Sequence, residues 1–281
     1  MSSYTLGIIL LILVIIGTGT VIKWIYKILK KFVNIIQNTN KTGKEHPDAE
    51  RIKQQPRKFN QIDSGIRQKS KDYYNSEYYK QKHITPKEIK KDKGTTGEYA
   101  IYKELQNYEN TGGRFIFNAY IEKDNNNTTE LDVILIQSCG LIVFESKNYS
   151  GYIYGKEDES HWTEVMGKGK GRKTYKFYNP INQNKNHIAA IKKLVGPEVP
   201  VNNIVVFSDR CNLQGVKAKY SDIKIVNLRD VNKAVYEIMI KYHDSIGKDK
   251  IEELYELLYQ KTQVSEEIKQ QHIQNIKTKY Y

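Results

Sequence analysis

The stretch "ELDVILIQSCGLIVFESKN", residues 130 to 148, decides how this chain folds. Two runs of branched and aromatic apolar residues, 133–136 and 141–144, flank Gln137, Ser138, Cys139 and Gly140, a pattern that predicts an antiparallel hairpin. Turning about Ser138 and Cys139 sets opposite one another the residues whose numbers sum to 277, so Asp132 faces Glu145. Lys147 shares the face of Glu145, because strand side chains alternate with period two. Like charges directly opposed across a ladder destabilise a sheet, so two facing carboxylates need a cation. Carboxylates that hold a hard divalent ion such as Mg2+, with an ammonium beside them, suit phosphodiester hydrolysis. The ion stabilises charge on the phosphate and helps generate hydroxide, and the ammonium orients water or stabilises the transition state. A solvated ion pair at a strand end is the competing account of Glu145 and Lys147.

Working outward, the pattern predicts a helix near 95–110 and strands near 114–121, 152–155, 202–209 and 222–228. In the first helix, Glu98, Ile101, Leu105 and Tyr108 share a face, so Glu98 points with apolar residues toward the core and needs a metal, a Lys or backbone donors. Thr95-x-x-Glu98 also fits a capping box, in which Glu98 bonds back to the Thr95 backbone; periodicity alone leaves both accounts open. A later helix, 180–195, opens with Asn179 as N-cap and Pro180 in its first turn, and stops at Gly196-Pro197. On it, Gln183 and His187 lie four apart, on the face that continues to Ile191 and Leu194. They contact a scissile phosphate, hold Glu145 and Lys147 in place, or are a satisfied amide and histidine near the helix start. Between Met166 and Asn179, Lys168, Lys170, Arg172, Lys173 and Lys176 stand without an acid, in a Gly-interrupted loop that either clamps a phosphate backbone or is simply solvated.

The ends have a different character. Met1 to Ile22 contains no charged residue, and its apolar run approaches the roughly 20 residues that span a bilayer. No Lys or Arg precedes that run and no small-residue cleavage site follows it, which disfavours a signal peptide, and no polar face interrupts it as in a soluble core helix. Lys23, Lys27, Lys30 and Lys31, interleaved with Trp24 and Tyr26, form the basic and aromatic border expected on the cytoplasmic side. The expectation is a single-pass anchor in the cell membrane through residues 5–22, with the C-terminal domain cytoplasmic. Residues 37–93 are polar and poor in aliphatic side chains, as in a linker, although the Tyr-rich patch "KDYYNSEYYKQKH" has room for a short helix. The net charge of +13 favours polyanions or an anionic membrane surface. Two cysteines, Cys139 and Cys211, are too few for a disulfide framework or a zinc site and read as buried reduced thiols.

Taken in order, "GEYAIYKEL", "ELDVILIQSCGLIVFESKNYSGYIYG", "HW" at 161–162 and "NPINQNKNH" at 179–187 resemble the nuclease-related domain, NERD, over about residues 94 to 210. That family is assigned to the PD-(D/E)XK nuclease superfamily, and bacterial members often carry an N-terminal membrane segment. The resemblance implies an α/β, restriction-endonuclease-like core with a central mixed sheet flanked by helices. It implies Glu98 as the acid of the first core helix, Asp132 and Glu145 as metal-holding acids with Glu98 beside them, Lys147 as the catalytic lysine and Gln183 as its polar support. Leu131 stands where the superfamily name has Pro, at a position that supplies no ligand. The expected organisation is an anchor and basic segment over 1–36, a linker over 37–93, the nuclease-like domain over 94–213, and a last strand with C-terminal helices over 214–281. The expected activity is Mg2+- or Mn2+-dependent hydrolysis of DNA, with Lys168, Lys170, Arg172, Lys173 and His187 on the nucleic acid. The alternative is a membrane-tethered protein that binds nucleic acid or acts as a scaffold without cutting.

Overall fold

The computed structural model describes residues 72–123, 127–218 and 223–280. The anchor and its basic border, and the linker as far as residue 71, lie outside them. Among the described residues no helix is long and apolar enough to cross a membrane.

The predicted hairpin is present in the predicted register. Strands β2 (Thr128–Gln137) and β3 (Gly140–Lys147) pair antiparallel, with Val133 opposite Phe144 and Gln137 opposite Gly140. Gly140 takes φ +98° to close the turn, a conformation that side chains with a Cβ rarely adopt. Strand β1 (Arg114–Glu122) pairs with β2, while β7 (Val201–Phe207) and β9 (Lys224–Asn227) add parallel strands beyond β3. The resulting mixed sheet has the order β1-β2-β3-β7-β9. Its central strands are apolar on both faces, as expected of a sheet covered on both sides.

One face packs helices α3 (Lys93–Leu105) and α5 (Val231–Lys241) through Ile101, Leu105, Val235 and Ile238. The other packs α4 (Pro180–Val195) and α6 (Lys248–Gln260) through Ile191, Val195, Leu254 and Leu258. Helix α4 has the bounds read from its Asn179 and Gly196 punctuation. A further helix, α7 (Glu266–Tyr280), follows α6 and reaches β2 through His272. Strand β9 and helices α5 and α6, all beyond residue 213, thus belong to the main sheet and its core.

A second, four-stranded sheet was not anticipated. It is built from β4 (Gly151–Lys156), β5 (His161–Met166), β6 (Lys173–Tyr178) and β8 (Cys211–Lys217), in the order β6-β5-β4-β8. The supposed basic loop is the tip and second strand of the β5–β6 hairpin, so Lys173 begins a strand. Ile153, Trp162 and Phe177 on this sheet pack with Ile181, Val205 and Phe207, joining it to the end of the main sheet.

The end of the expected linker is also folded. Helices α1 (Glu77–Lys82) and α2 (Pro86–Ile89) lie within it, and Tyr73, Tyr78 and Ile89 enter the core shared with α3. Tyr78 is 0% exposed, stacked on Tyr102 and edge-on to Phe117. The Gln81 amide donates to Phe115 O at 2.7 Å and accepts from Phe117 N at 3.3 Å. Tyr78→Ala is expected to lower the unfolding free energy by about 3–5 kcal/mol, the loss typical of a buried aromatic. Urea denaturation of the full chain measures it, and a change below about 0.5 kcal/mol, as at a surface site, would restore the linker reading.

Candidate active site

Asp132 and Glu145 occupy the first opposed position beyond the end of a ladder. Pairing between β2 and β3 stops at Val133 and Phe144, while β2 continues along β1 to Thr128 and β3 continues along β7 to Lys147. The two strands part where both would present a carboxylate. Asp132 Oδ2 bridges the opening by accepting from Ser146 N at 2.8 Å, a bond the missing ladder would otherwise have supplied.

Glu145 is 2% exposed and fully engaged. Lys147 Nζ donates to Glu145 Oε1 at 2.7 Å and to Gln183 Oε1 at 3.0 Å. His187 Nε2 lies 3.1 Å from Glu145 Oε2, and its Nδ1 lies 2.7 Å from Thr129 Oγ1. An ionised carboxylate only accepts, so Nε2 is the donating nitrogen. Of the accounts open for Gln183 and His187, the structure selects the one in which they hold Lys147 and Glu145. His187 is 4% exposed, which corrects its expected place on a nucleic-acid surface. Helix α4 is aimed by its cap: Asn179 accepts from Ile181 N at 2.9 Å and donates to the carbonyls of Lys156, Glu157 and Glu159.

Glu98 reaches the site from the other face. The capping box does not form, because α3 begins two residues before Thr95 and its N-cap is Asp92, whose Oδ2 accepts from Thr95 N at 2.7 Å. Glu98 is therefore well inside the helix, where it accepts from Lys82 Nζ at 3.4 Å and Asn118 Nδ2 at 3.2 Å. Gly97 brings the helix this close, since a Cβ there would collide with Ser146 Oγ. Asn118 sits in β1 across from Asp132, between the paired positions Phe117–Val133 and Ala119–Leu131, with φ +52°. Its amide accepts from Lys82 and donates to both Glu98 and, at 2.8 Å, Glu130. Backbone held in this region is costly for a residue other than glycine, and such outliers concentrate at functional sites.

Lys82, Asn118, Thr129 and Glu130 were missed in the sequence. Period two from Asp132 pointed to Glu130; Lys82 was hidden in a segment read as linker. The basic residues Lys168, Lys170, Arg172 and Lys173 are exposed on the second sheet and contact none of these groups. Among the described residues, no group of three or more His, Cys, Asp or Glu side chains forms a ready-made metal cage.

The electrostatics are uneven. Burial opposes charge on Glu145, but the Lys147 ammonium and His187 outweigh it and hold the carboxyl at about 2. Burial likewise opposes charge on Lys147, and Glu145 overrides it, raising the ammonium above its ordinary range. Asp132 is pushed well above the usual carboxylate range, first by burial and then by Glu145 and Glu98, against Lys147 and the Ser146 N–H. Burial also raises Glu98, against Lys82 and Asn118.

Opposite responses to neutralisation follow. Asp132→Asn is expected to raise the melting temperature of the metal-free protein. Because folding favours the protonated acid, the gain opens as pH rises through the raised pKa and closes below the ordinary carboxylate range. Glu145→Gln leaves Lys147 buried without its counter-ion and is expected to cost about 3–5 kcal/mol. Calorimetry from acid to neutral pH checks both signs; a destabilising Asp132→Asn would show that the Asp132 charge is already compensated.

Comparison with known proteins places this geometry in context. An uncharacterized protein of Bacillus anthracis is 27% identical over 198 residues, covering 70% of this chain and 90% of that relative. No solved structure matches the chain. The helix bearing Glu98, the parted hairpin with Asp132, Glu145 and Lys147, and the cap and first turns of α4 all fall within residues 93–208, and these residues match NERD, the nuclease-related domain family.

Proposed function

We propose that the chain is a membrane-anchored, divalent-metal-dependent nuclease that hydrolyses phosphodiester bonds in DNA. The observation that carries this reading is the pairing of unlike carboxylates at the parted strands: Glu145 neutralised by Lys147 and His187, Asp132 left without a cation of its own. Two carboxylates side by side, one of them without a cation of its own, suit Mg2+ or Mn2+, which take one or two carboxylates and complete their shell with water and phosphate oxygens. The ion would be held by Asp132 and Glu145, with Glu98 behind them.

When bound, such an ion supplies charge stabilisation on the phosphate and acidifies water. The chain's own groups do the positioning. Gln183 and Glu145 fix the Lys147 ammonium from two sides, so that it meets the attacking water or the charge developing on the phosphate without reorganising. His187 and Thr129 keep Glu145 from turning toward Lys147 with both oxygens. Lys82 and Asn118 hold Glu98 in the same way from the far side. A restriction-endonuclease-like core is the architecture this reading assigns to the main sheet and its helices.

The test incubates the full-length chain in detergent micelles with plasmid, linear duplex, single-stranded DNA and RNA, in Mg2+, Mn2+ or EDTA. Cleavage of DNA is expected only with a divalent ion, and Lys147→Met is expected to slow it by about 100-fold or more, as for loss of one transition-state donor. Mg2+ should also raise the melting temperature of the wild type and leave that of Asp132→Asn unchanged. A folded wild type that binds these nucleic acids in every condition and cuts none would establish the tethered binder instead.

The anchor is tested separately. The full chain is expected in the carbonate-resistant membrane pellet of expressing cells, and deletion of residues 1–22 is expected to release it to the supernatant. Equal partitioning of the two proteins would remove the anchor from the proposal.

A further inference from the structure

The outer face of the second sheet has no part in the chemistry above. Its composition is unusual for a surface. Register and alternation set Tyr152 and Tyr154 of β4 beside Val165 and Thr163 of β5, with Thr174 and Lys176 of β6 next in the same rows. The two tyrosines are 45% and 47% exposed. Gly215, opposite Tyr154 on β8, has no room for a Cβ because the Tyr154 ring lies across it. Lys176 is exposed and makes no ion pair among the described residues.

Charge is graded along this sheet. At the end where β4 begins, the β5–β6 hairpin tip carries Lys168, Lys170, Arg172 and Lys173, all exposed. At the far end, Lys156 pairs with Glu159 at 3.7 Å and Lys185 with Glu157 at 3.4 Å, and Asp158 adds a further acid. The basic end is the one that leads to the site. Gly151, the first residue of β4, follows Lys147 by four residues, its N–H donates to Arg210 O at 3.0 Å, and Ser150 Oγ donates to Met166 Sδ at 3.1 Å.

Alternate residues on a strand lie about 6.7 Å apart. Bases in a stacked duplex strand repeat at about 3.4 Å and their faces are covered. Two rings so spaced match successive bases of an extended, unpaired strand and not those of a duplex. Aromatic stacking with flanking cations is the recurrent chemistry of single-strand binding.

We infer that this face binds single-stranded nucleic acid. Tyr152 and Tyr154 stack on two successive unpaired bases, and Lys176 with the hairpin-tip cations contacts the phosphates. Resting on the nuclease reading, this makes the substrate one with an unpaired strand leading to the cut.

The experiment is fluorescence anisotropy of the full-length chain in EDTA. The probes are a labelled oligothymidylate of about 15 nucleotides, within the size one such surface covers, and a duplex of similar length. Tyr152→Ala with Tyr154→Ala is expected to weaken oligothymidylate binding by roughly 30-fold or more, and duplex binding by less than about twofold. The paired Phe substitutions should retain wild-type affinity. Replacing Lys168, Lys170, Arg172 and Lys173 by Gln should flatten the dependence of log affinity on log salt by about 3. Unchanged single-strand binding by the Ala variant, or an equal loss for the duplex, overturns the inference. So does a dimer in sedimentation that the Ala variant dissociates without changing affinity for DNA. EDTA separates the two proposals: a protein that cuts with Mg2+ but is indifferent to the tyrosines keeps only the nuclease reading. One that binds through the tyrosines and never cuts keeps only the binding face.

Discussion

Two carboxylates on neighbouring strands do not tolerate direct opposition in a buried ladder, and the rest of this structure is arranged around how that conflict is resolved. The hairpin stays paired through its apolar residues and separates at Asp132 and Glu145. Each strand then needs another partner, and each has one: β1 for β2, and the parallel strand β7 for β3. The mixed character of the sheet is therefore coupled to the chemistry of one cross-strand pair. Helices α3 and α4 approach the opening from opposite faces, one permitted by Gly97 and the other aimed by Asn179.

The two acids then diverge. Both are buried, but Glu145 is stabilised as a charge by partners on β3 and α4, whereas Asp132 meets the repulsion of Glu145 and Glu98 with less compensation. Asn118 adds a further local cost, with a side chain shared between Lys82, Glu98 and Glu130 and a backbone in the left-handed region. Departures of this kind from local preference are what a foldable sequence avoids elsewhere and accepts where it must act on another molecule.

Much of this is legible in the sequence. The symmetric apolar runs about Ser138 and Cys139 determined the register, and with it the meeting of Asp132 and Glu145; Asn179-Pro180 and Gly196 determined α4. What escaped did so for identifiable reasons. Strand β6, "KTYKFY", exposes most of its side chains, so hydrophobic alternation is too weak to mark it, and with it went the second sheet. Lys and Asn around Tyr73 and Tyr78 gave a linker composition to residues whose rings are core. Thr95 offered a capping geometry that Asp92, three residues earlier, had already claimed. Such competition between two adequate caps is decided by packing, here by the approach of Gly97 to β3, which no local pattern encodes.

The contact between Gln81 and β1 has a meaning beyond anchoring a short helix. β1 is the outer strand of the main sheet, and an outer strand offers its free N–H and C=O groups to any extended chain that drifts past. One side-chain amide carries the same donor and acceptor as a peptide group, and Gln81 spends both on Phe115 and Phe117. At Phe115 and Phe117 the sheet thus ends in a counterfeit peptide unit that satisfies the edge without extending it, and farther along β1 the Tyr120 N–H donates to Lys261 O at 2.9 Å. Growth of the sheet by another molecule would first have to evict that unit, so a short polar helix acts here as a terminator against polymerisation.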